Sequence, residues 1–207
     1  MTAMHTATAT ITSVVLESPD PAAAERFYAA AFGLGSAVTT RASQAPTSGF
    51  RGFTLSLVVA QPSTVDSLIR TALDGGATTL KPPSKSFWGY GGVVQAPDGA
   101  IWKVATSAKK DTGPATRRVD DVVLLLGVAD VKTTKRFYVE HGLTVAKSFG
   151  SKYVEFETAA GIKLALYTRR AAAKDAGVPA DGSGSHRMVI AGTASFTDPD
   201  GFVWEAA

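Results

Sequence analysis

Cysteine is absent from the 207 residues, which excludes disulfide staples, thiolate metal sites and a cysteine nucleophile. A reducing compartment suits such a chain, so a cytoplasmic location is expected. No run approaches the roughly 20 apolar residues that cross a bilayer. Residues 1–10 are rich in Thr and Ala, with neither a basic start nor an apolar centre. They are expected to be a disordered tail, not a secretory signal. Charge of one sign is scarce as well. The formal net charge is +3, and the Lys and Arg residues are scattered apart from Lys109-Lys110 and Arg117-Arg118. A nucleic-acid footprint needs a basic stripe interleaved with aromatics, so neither nucleic acid nor membrane is expected as a partner. What remains is 45% hydrophobic and 19% charged, the composition of a water-soluble chain of one or two domains.

Against these absences stands a repetition. Ala96-Pro97-Asp98-Gly99-Ala100-Ile101-Trp102-Lys103 returns as Asp198-Pro199-Asp200-Gly201-Phe202-Val203-Trp204-Glu205. Each is an Asp-Gly turn between β-prone runs, where glycine supplies the positive φ of a tight hairpin. Arg26-Phe27-Tyr28, closing at Gly33-Leu34, likewise returns as Arg136-Phe137-Tyr138, closing at Gly142-Leu143. A period near a hundred residues is too long for a solenoid and implies a duplicated domain.

The order of elements supports two related halves. Residues 11–17 are β-branched and read as a strand. Asp20-Pro21 starts a helix, because Asp caps and Pro fits its first position. Residues 37–41 make a second strand, 42–49 a loop and 53–60 a third strand. Pro62 opens a helix with Val65, Leu68, Ile69 and Ala72 on one face. Residues 78–80 form a short strand that Pro82-Pro83 stops, and the first hairpin follows. Residues 107–118 are polar, contain Gly113-Pro114, and form the linker. The pattern restarts at residue 119. A strand over 122–128 leads to a helix capped by Asp130. Strands over 143–149, 153–157 and 162–168 follow, the last two a hairpin across Ala159-Ala160-Gly161. Residues 169–185 read as irregular or as a helical turn with a loop, 186–190 as a short strand, and the second hairpin ends the chain. The organisation is thus a tail to residue 10, halves over 11–106 and 119–207, and a linker over 107–118.

This succession of strand, Phe-Tyr helix, Gly-Leu stop, strands and terminal Asp-Gly hairpin resembles the glyoxalase/bleomycin-resistance/dioxygenase proteins, the vicinal-oxygen-chelate superfamily. The resemblance implies an α+β fold of tandem βαβββ modules forming cupped mixed sheets. It is specific for fold and weak for function, since that scaffold hosts many chemistries. The first half keeps a whole module over 53–106, while its leading module lacks two strands, expected to be the last two. The second half keeps a whole module over 119–168, while its closing module, from residue 186, lacks the helix. The halves are therefore expected to pack against each other.

The resemblance also implies where a divalent metal would be held: by His, Gln or Glu on the first, fourth, fifth and last strands. In the first half those positions fall on Ser13, Phe53 and Lys103, which do not suit a cation. In the second they fall on Asp121, near Ala165, on His186 and on Glu205. Asp121, His186 and Glu205 would make a metal-binding triad for a lyase, isomerase or dioxygenase. The competing reading makes His186 a polar residue at a strand end, Glu205 a solvated one and Asp121 an ion-pair partner. Lys103 and Glu205, at equivalent positions, would form a salt bridge across a shared cup. Phe87, Trp88 and Tyr90, among glycines, either line a pocket for a planar ligand together with Lys103 or plug the sheet as core. Phe27, Tyr28, Phe137 and Tyr138 read as core. The indoles of Trp102 and Trp204 alternate with their neighbouring charges and face the helices. The function these features favour is metal-free binding of a small molecule, of the sequestration or resistance type. The metal-dependent enzyme is the alternative, and a homodimer is compatible with either.

Overall fold

Local chemistry places each helix. Asp20 accepts from the backbone of Ala23 and caps α1 (Pro21–Ala31), and Asp130 caps α3 (Val131–Glu140) through Thr133. Pro62 opens α2 (Pro62–Asp74), which buries Val65, Leu68, Ile69 and Ala72. The computed structural model describes residues 10–158 and 161–207. The expected tail, Thr10 excepted, and the Ala159-Ala160 turn lie outside the described residues.

Two whole modules occupy the middle of the chain. The first is β4 (Phe53–Val58), α2, β5 (Thr78–Ser86), β6 (Gly89–Gln95) and β7 (Ile101–Thr106). The second is β8 (Asp121–Val128), α3, β9 (Val145–Phe149), β10 (Tyr153–Phe156) and β11 (Ile162–Thr168). Their first strands pair antiparallel, Phe53 opposite Leu126 through Val58 opposite Asp121. The result, among the described residues, is an eight-stranded sheet in the order β5-β6-β7-β4-β8-β11-β10-β9. β5 runs straight through Pro82-Pro83, where the sequence predicts a stop. It is an edge strand with two register shifts, the setting in which a proline sacrifices no ladder hydrogen bond.

The two ends of the chain build a second sheet. β1 (Ile11–Ser18) and β2 (Val38–Ala42) come from the start, with β13 (Met188–Gly192), β14 (Phe196–Thr197) and β15 (Val203–Ala206) from the end. They lie in the order β14-β15-β13-β1-β2. β2 runs parallel to β1, as β7 does to β4 and β11 to β8. It therefore holds the place of a module's last strand. The leading module lacks its middle two strands, not the expected last two. β3 (Thr47–Gly49) and β12 (Gly182–Gly184) form a small ribbon. Each sheet thus takes strands from both halves of the sequence.

One continuous core lies between the sheets. Val14, Leu16, Ile190 and Trp204 of the smaller sheet join Leu55, Leu57, Trp102, Leu124, Leu126 and Leu164 of the larger, with Phe27 and Tyr28 of α1 and Tyr138 of α3. Phe137, expected in the core, is half-buried against it. Trp102 packs beside Tyr28 and Phe32, and Trp204 beside Tyr138 and Phe196.

The repeated motifs meet in crossed pairs. The hydroxyl of Tyr28, on the helix that follows β1, donates to Asp98 in the β6–β7 turn at 2.6 Å. The hydroxyl of Tyr138, on the helix that follows β8, donates to Asp198 in the β14–β15 turn at 2.8 Å. Each bond ties a helix of one sheet's module to a turn of the other sheet. Hydrogen bonds to a charged partner contribute about 1.5–3 kcal/mol each. Burial, then the nearby carboxylate, holds both hydroxyls well above the usual tyrosine pKa.

Because strands of both halves share each sheet, the segment up to Lys110 and the segment after it are expected to be insoluble or molten when expressed apart. Exposed sheet edges with unpaired backbone aggregate. Two soluble halves with independent sharp melting transitions would contradict this arrangement.

A second expectation concerns alkaline pH. All five tyrosines have raised pKa values, mostly by burial, with Tyr90 raised first by its hydrogen bond to Asp66. An unfolded tyrosine ionises near pH ~10. Above that pH the unfolded chain binds fewer protons than the folded one, so stability is full below ~10 and falls as pH rises. Denaturant midpoints across the alkaline range measure it. Tyr138→Phe is expected to cost about 1.5–3 kcal/mol and to make the alkaline decline shallower; an unaltered slope would reject the contribution of Tyr138.

Candidate functional site

Side chains alternate across a strand, so the face of the eight-stranded sheet turned away from the main core carries its own set. That set includes Val93, Ile101, Leu125 and Ala165. Helix α4 (Arg169–Ala176), from the stretch read as irregular or as a helical turn with a loop, lies on this face. Thr168 caps it through the backbone of Ala171, and Gly177 ends it in the left-handed conformation at φ 79°. Ala172, Ala173 and Ala176 face the sheet and are buried in a second core with Phe50. Close approach requires Gly127: a Cβ there would lie 3.0 Å from the Ala172 Cβ and 3.1 Å from the Arg169 Cα. The middle of the concave face is therefore filled by this chain's own helix.

Polar contacts fix both ends of α4. The Arg169 guanidinium donates to the carbonyls of Phe50 and Ala180. At the other end the Lys81 ammonium donates to the carbonyls of Lys174 and Asp175, both at 2.7 Å, where a cation complements the negative end of a helix. The Lys103 ammonium donates to both carboxylate oxygens of Asp175 at 2.9 Å.

Beside this end of α4 lies a cavity of about 290 Å³, bounded by the β5–β6 hairpin, β7 and Asp175. Lys81, Ser84, Trp88, Gly91, Lys103 and Asp175 are among the residues that line it. Of the expected ligand-binding set, the structure brings Trp88 and Lys103 to this cavity. Trp88 stands at its mouth, 83% exposed. Phe87, 81% exposed, packs edge-on against Trp88 with centroids 5.0 Å apart, and lies next to the lining. These exposures correct the reading of the two rings as a core plug. Tyr90 borders the cavity, but its hydroxyl donates to Asp66 on α2 at 2.8 Å. Its ring packs on the main core, because alternation along β6 turns it to the helix side of the sheet.

The structure does not bring Asp121, His186 and Glu205 together. Asp121, at the start of β8, pairs with Lys163 at 2.8 Å. Glu205 is on β15 in the other sheet, held at 2.8 Å by Arg41, which also pairs with Glu17 at 2.6 Å. His186 precedes β13, and both its ring nitrogens face backbone carbonyls, of Arg51 and of Asp200. The imidazole stacks on Phe202 at 4.0 Å. The expected Lys103–Glu205 bridge is likewise replaced, since their strands belong to different sheets. The partner of Lys103 is Asp175, on a helix the sequence reading left undefined. Three alanines at helical spacing behind a Thr cap were the signal for that helix.

Solved structures of other proteins share the backbone fold. Glyoxalase I from Zea mays superposes with a TM-score of 0.62 at 13% identity, over 95% of this chain and 91% of that one. A putative dioxygenase from Bacillus subtilis superposes with a TM-score of 0.57 at 15% identity, over 94% of this chain and 73% of that one. The chain has the glyoxalase fold. No protein-family model and no curated protein sequence matches it.

The glyoxalase fold implies a divalent metal in the cup, and the residues present can be tested against one. Phe53, Lys103, Asp121 and Ala165, at the implied positions of the complete sheet, do not fit. Phe53 is buried in the main core, Lys103 is a cation, Ala165 is covered by α4, and Asp121 is paired. Among the described residues no three His, Asp or Glu side chains gather as a set of metal ligands. Calorimetric titration with Mn²⁺, Ni²⁺ and Zn²⁺ is accordingly expected to show nothing tighter than about micromolar, roughly 8 kcal/mol of binding free energy. Tighter binding abolished by His186→Ala would contradict the assignment.

Proposed function

We propose that the chain binds a small planar molecule in the cavity between the β5–β6 hairpin and α4, without a divalent metal. The observation that supports this reading is the division of the concave face. Its centre is given to packing by α4, while a cavity of about 290 Å³ with an exposed indole remains at its flank. That volume is at the small end of ligand sites, which pair an apolar wall with a few convergent polar groups. Here the wall is Trp88 and the polar groups are Lys81, Ser84, Lys103 and Asp175. Stacking on an aromatic face contributes about 0.5–1.5 kcal/mol beyond area burial. Binding and sequestration need no more than this.

Trp88 is the exposed indole; Trp102 and Trp204 are buried, at 0% and 1% exposure. Planar aromatic compounds are therefore expected to quench the iodide-accessible part of the tryptophan emission. Trp88→Ala should weaken their binding at least about tenfold, the equivalent of ~1.4 kcal/mol, without lowering the melting temperature. Equal affinity in wild type and Trp88→Ala would reject the site.

A further inference from the structure

The cavity's unspent hydrogen-bonding capacity names its ligand class. An ammonium group carries three donors and no acceptor. Lys81 uses two, on the carbonyls of Lys174 and Asp175. Lys103 uses two, on the oxygens of the Asp175 carboxylate. Both ammonium groups lie against Asp175 and both residues line the cavity, so each keeps one N–H that no protein acceptor among the described residues takes.

Charge points the same way. Lys81, Lys103 and Asp175 are the charged residues of the lining, which leaves an excess of one positive charge. Asp175 is spoken for by Lys103, with side-chain exposures of 33% and 34% for the pair. A cationic ligand would have to compete with Lys103 for the one carboxylate and would meet two ammonium groups on the way. An anionic ligand meets one carboxylate, Asp175, but two ammonium groups, and it can accept from Lys81 and Lys103 while the ion pair stays or opens. The Lys103–Asp175 pair is about one-third exposed on each side and so partly screened by solvent, which lets a ligand anion take the place of the Asp175 carboxylate.

We infer that the ligand is a planar aromatic acid, its anionic group held by the ammonium groups of Lys81 and Lys103 and its ring against Trp88. The inference rests on the proposed binding site and adds the charge of the ligand. A carboxylate and a phosphate share this chemistry, and both are tested as arms.

The probes are 2-naphthoate, 2-naphthyl phosphate, neutral 2-naphthamide and cationic 2-naphthylmethylamine, titrated calorimetrically against the full chain in low and high salt. At least one of the anions is expected to bind at least tenfold more tightly than the amide, to weaken in high salt, and to exceed the amine further. Lys81→Met and Lys103→Met should each weaken the anions more than the amide and remove most of that preference. Asp175→Asn is the decisive variant, because it deletes the competitor for Lys103: the anion should bind severalfold more tightly, where a purely structural role for Asp175 would weaken every probe alike. Circular dichroism and melting establish that each variant is folded. Salt dependence in the unaltered chain tests the idea even if a variant is not. Equal binding of anion, amide and amine, abolished by Trp88→Ala, would overturn the charge inference and leave the site standing. Absence of binding by all four would overturn both.

Discussion

The antiparallel pairing of β4 with β8 is the constraint on which the remaining structure depends. It joins the two complete modules, runs for the whole of β4, and places one glycine of each strand's end in contact, Gly127 donating to the Gly52 carbonyl at 2.7 Å. On one side of this seam Leu55, Leu57, Leu124 and Leu126 enter the main core; on the other, Leu125 enters the second one. A strand buried on both faces reads as a continuous apolar run, which is why Val122 to Val128 holds no polar residue. The pairing of β1 with β13 is its counterpart in the smaller sheet, and it closes the chain's two ends on each other.

The smaller sheet cannot stand without the larger. Its β1, β2 and β13–β15 represent two modules that have lost strands or a helix, so too little apolar surface remains inside it alone. Burial comes from facing the complete sheet. At about 25 cal/mol per Å² of apolar surface, residues as large as Trp204, Tyr138 and Trp102 dominate that contact, and the crossed Tyr–Asp bonds fix its register. The copies are unequal in a telling way. The first uses the Asp of its Pro-Asp-Gly turn, Asp98. The second uses Asp198, two residues earlier, and frees Asp200 to accept from Ala129 and Thr134 at the start of α3. The second turn therefore holds its partner helix at two points.

Much of this was legible in the sequence because it is local. Caps at Asp20 and Asp130, prolines at helix starts, Asp-Gly turns and apolar periodicity are short-range signals, and they locate the elements and the duplication. The placing of Trp88 and Lys103 at one cavity follows local signals of the same kind: aromatics among glycines, and a charge that alternates with a buried indole. What the sequence hides is pairing at long range. The partner of Lys103 is 72 residues distant, and nothing near Glu205 announces Arg41. The place of β2 in its sheet could not be read because a module missing its middle strands and one missing its last strands have the same length. β5 was cut short because proline rules presume an interior strand, and only the topology makes it an edge. Tyr90 was grouped with Trp88 by proximity, although Trp88 stands in the β5–β6 turn while Tyr90, on β6, packs on the main core.

Helix α4 decides what this fold can do here. In a cupped sheet the concave centre is where several strands can aim side chains at one point, and a site there needs space and donors. Here the side chains at that centre are Leu125 and Ala165, and the space is taken by Ala172, Ala173 and Ala176 at distances that only Gly127 permits. Removing α4 would not restore a metal centre, since no ligand set lies beneath it; it would expose apolar surface. The helix thus packs against the sheet in its middle, and at its end its last carbonyls and Asp175 hold two ammonium groups against the cavity. A packing element that also sets the electrostatics of a neighbouring pocket links stability to recognition, because any change that loosens α4 also moves the charges that a ligand would meet.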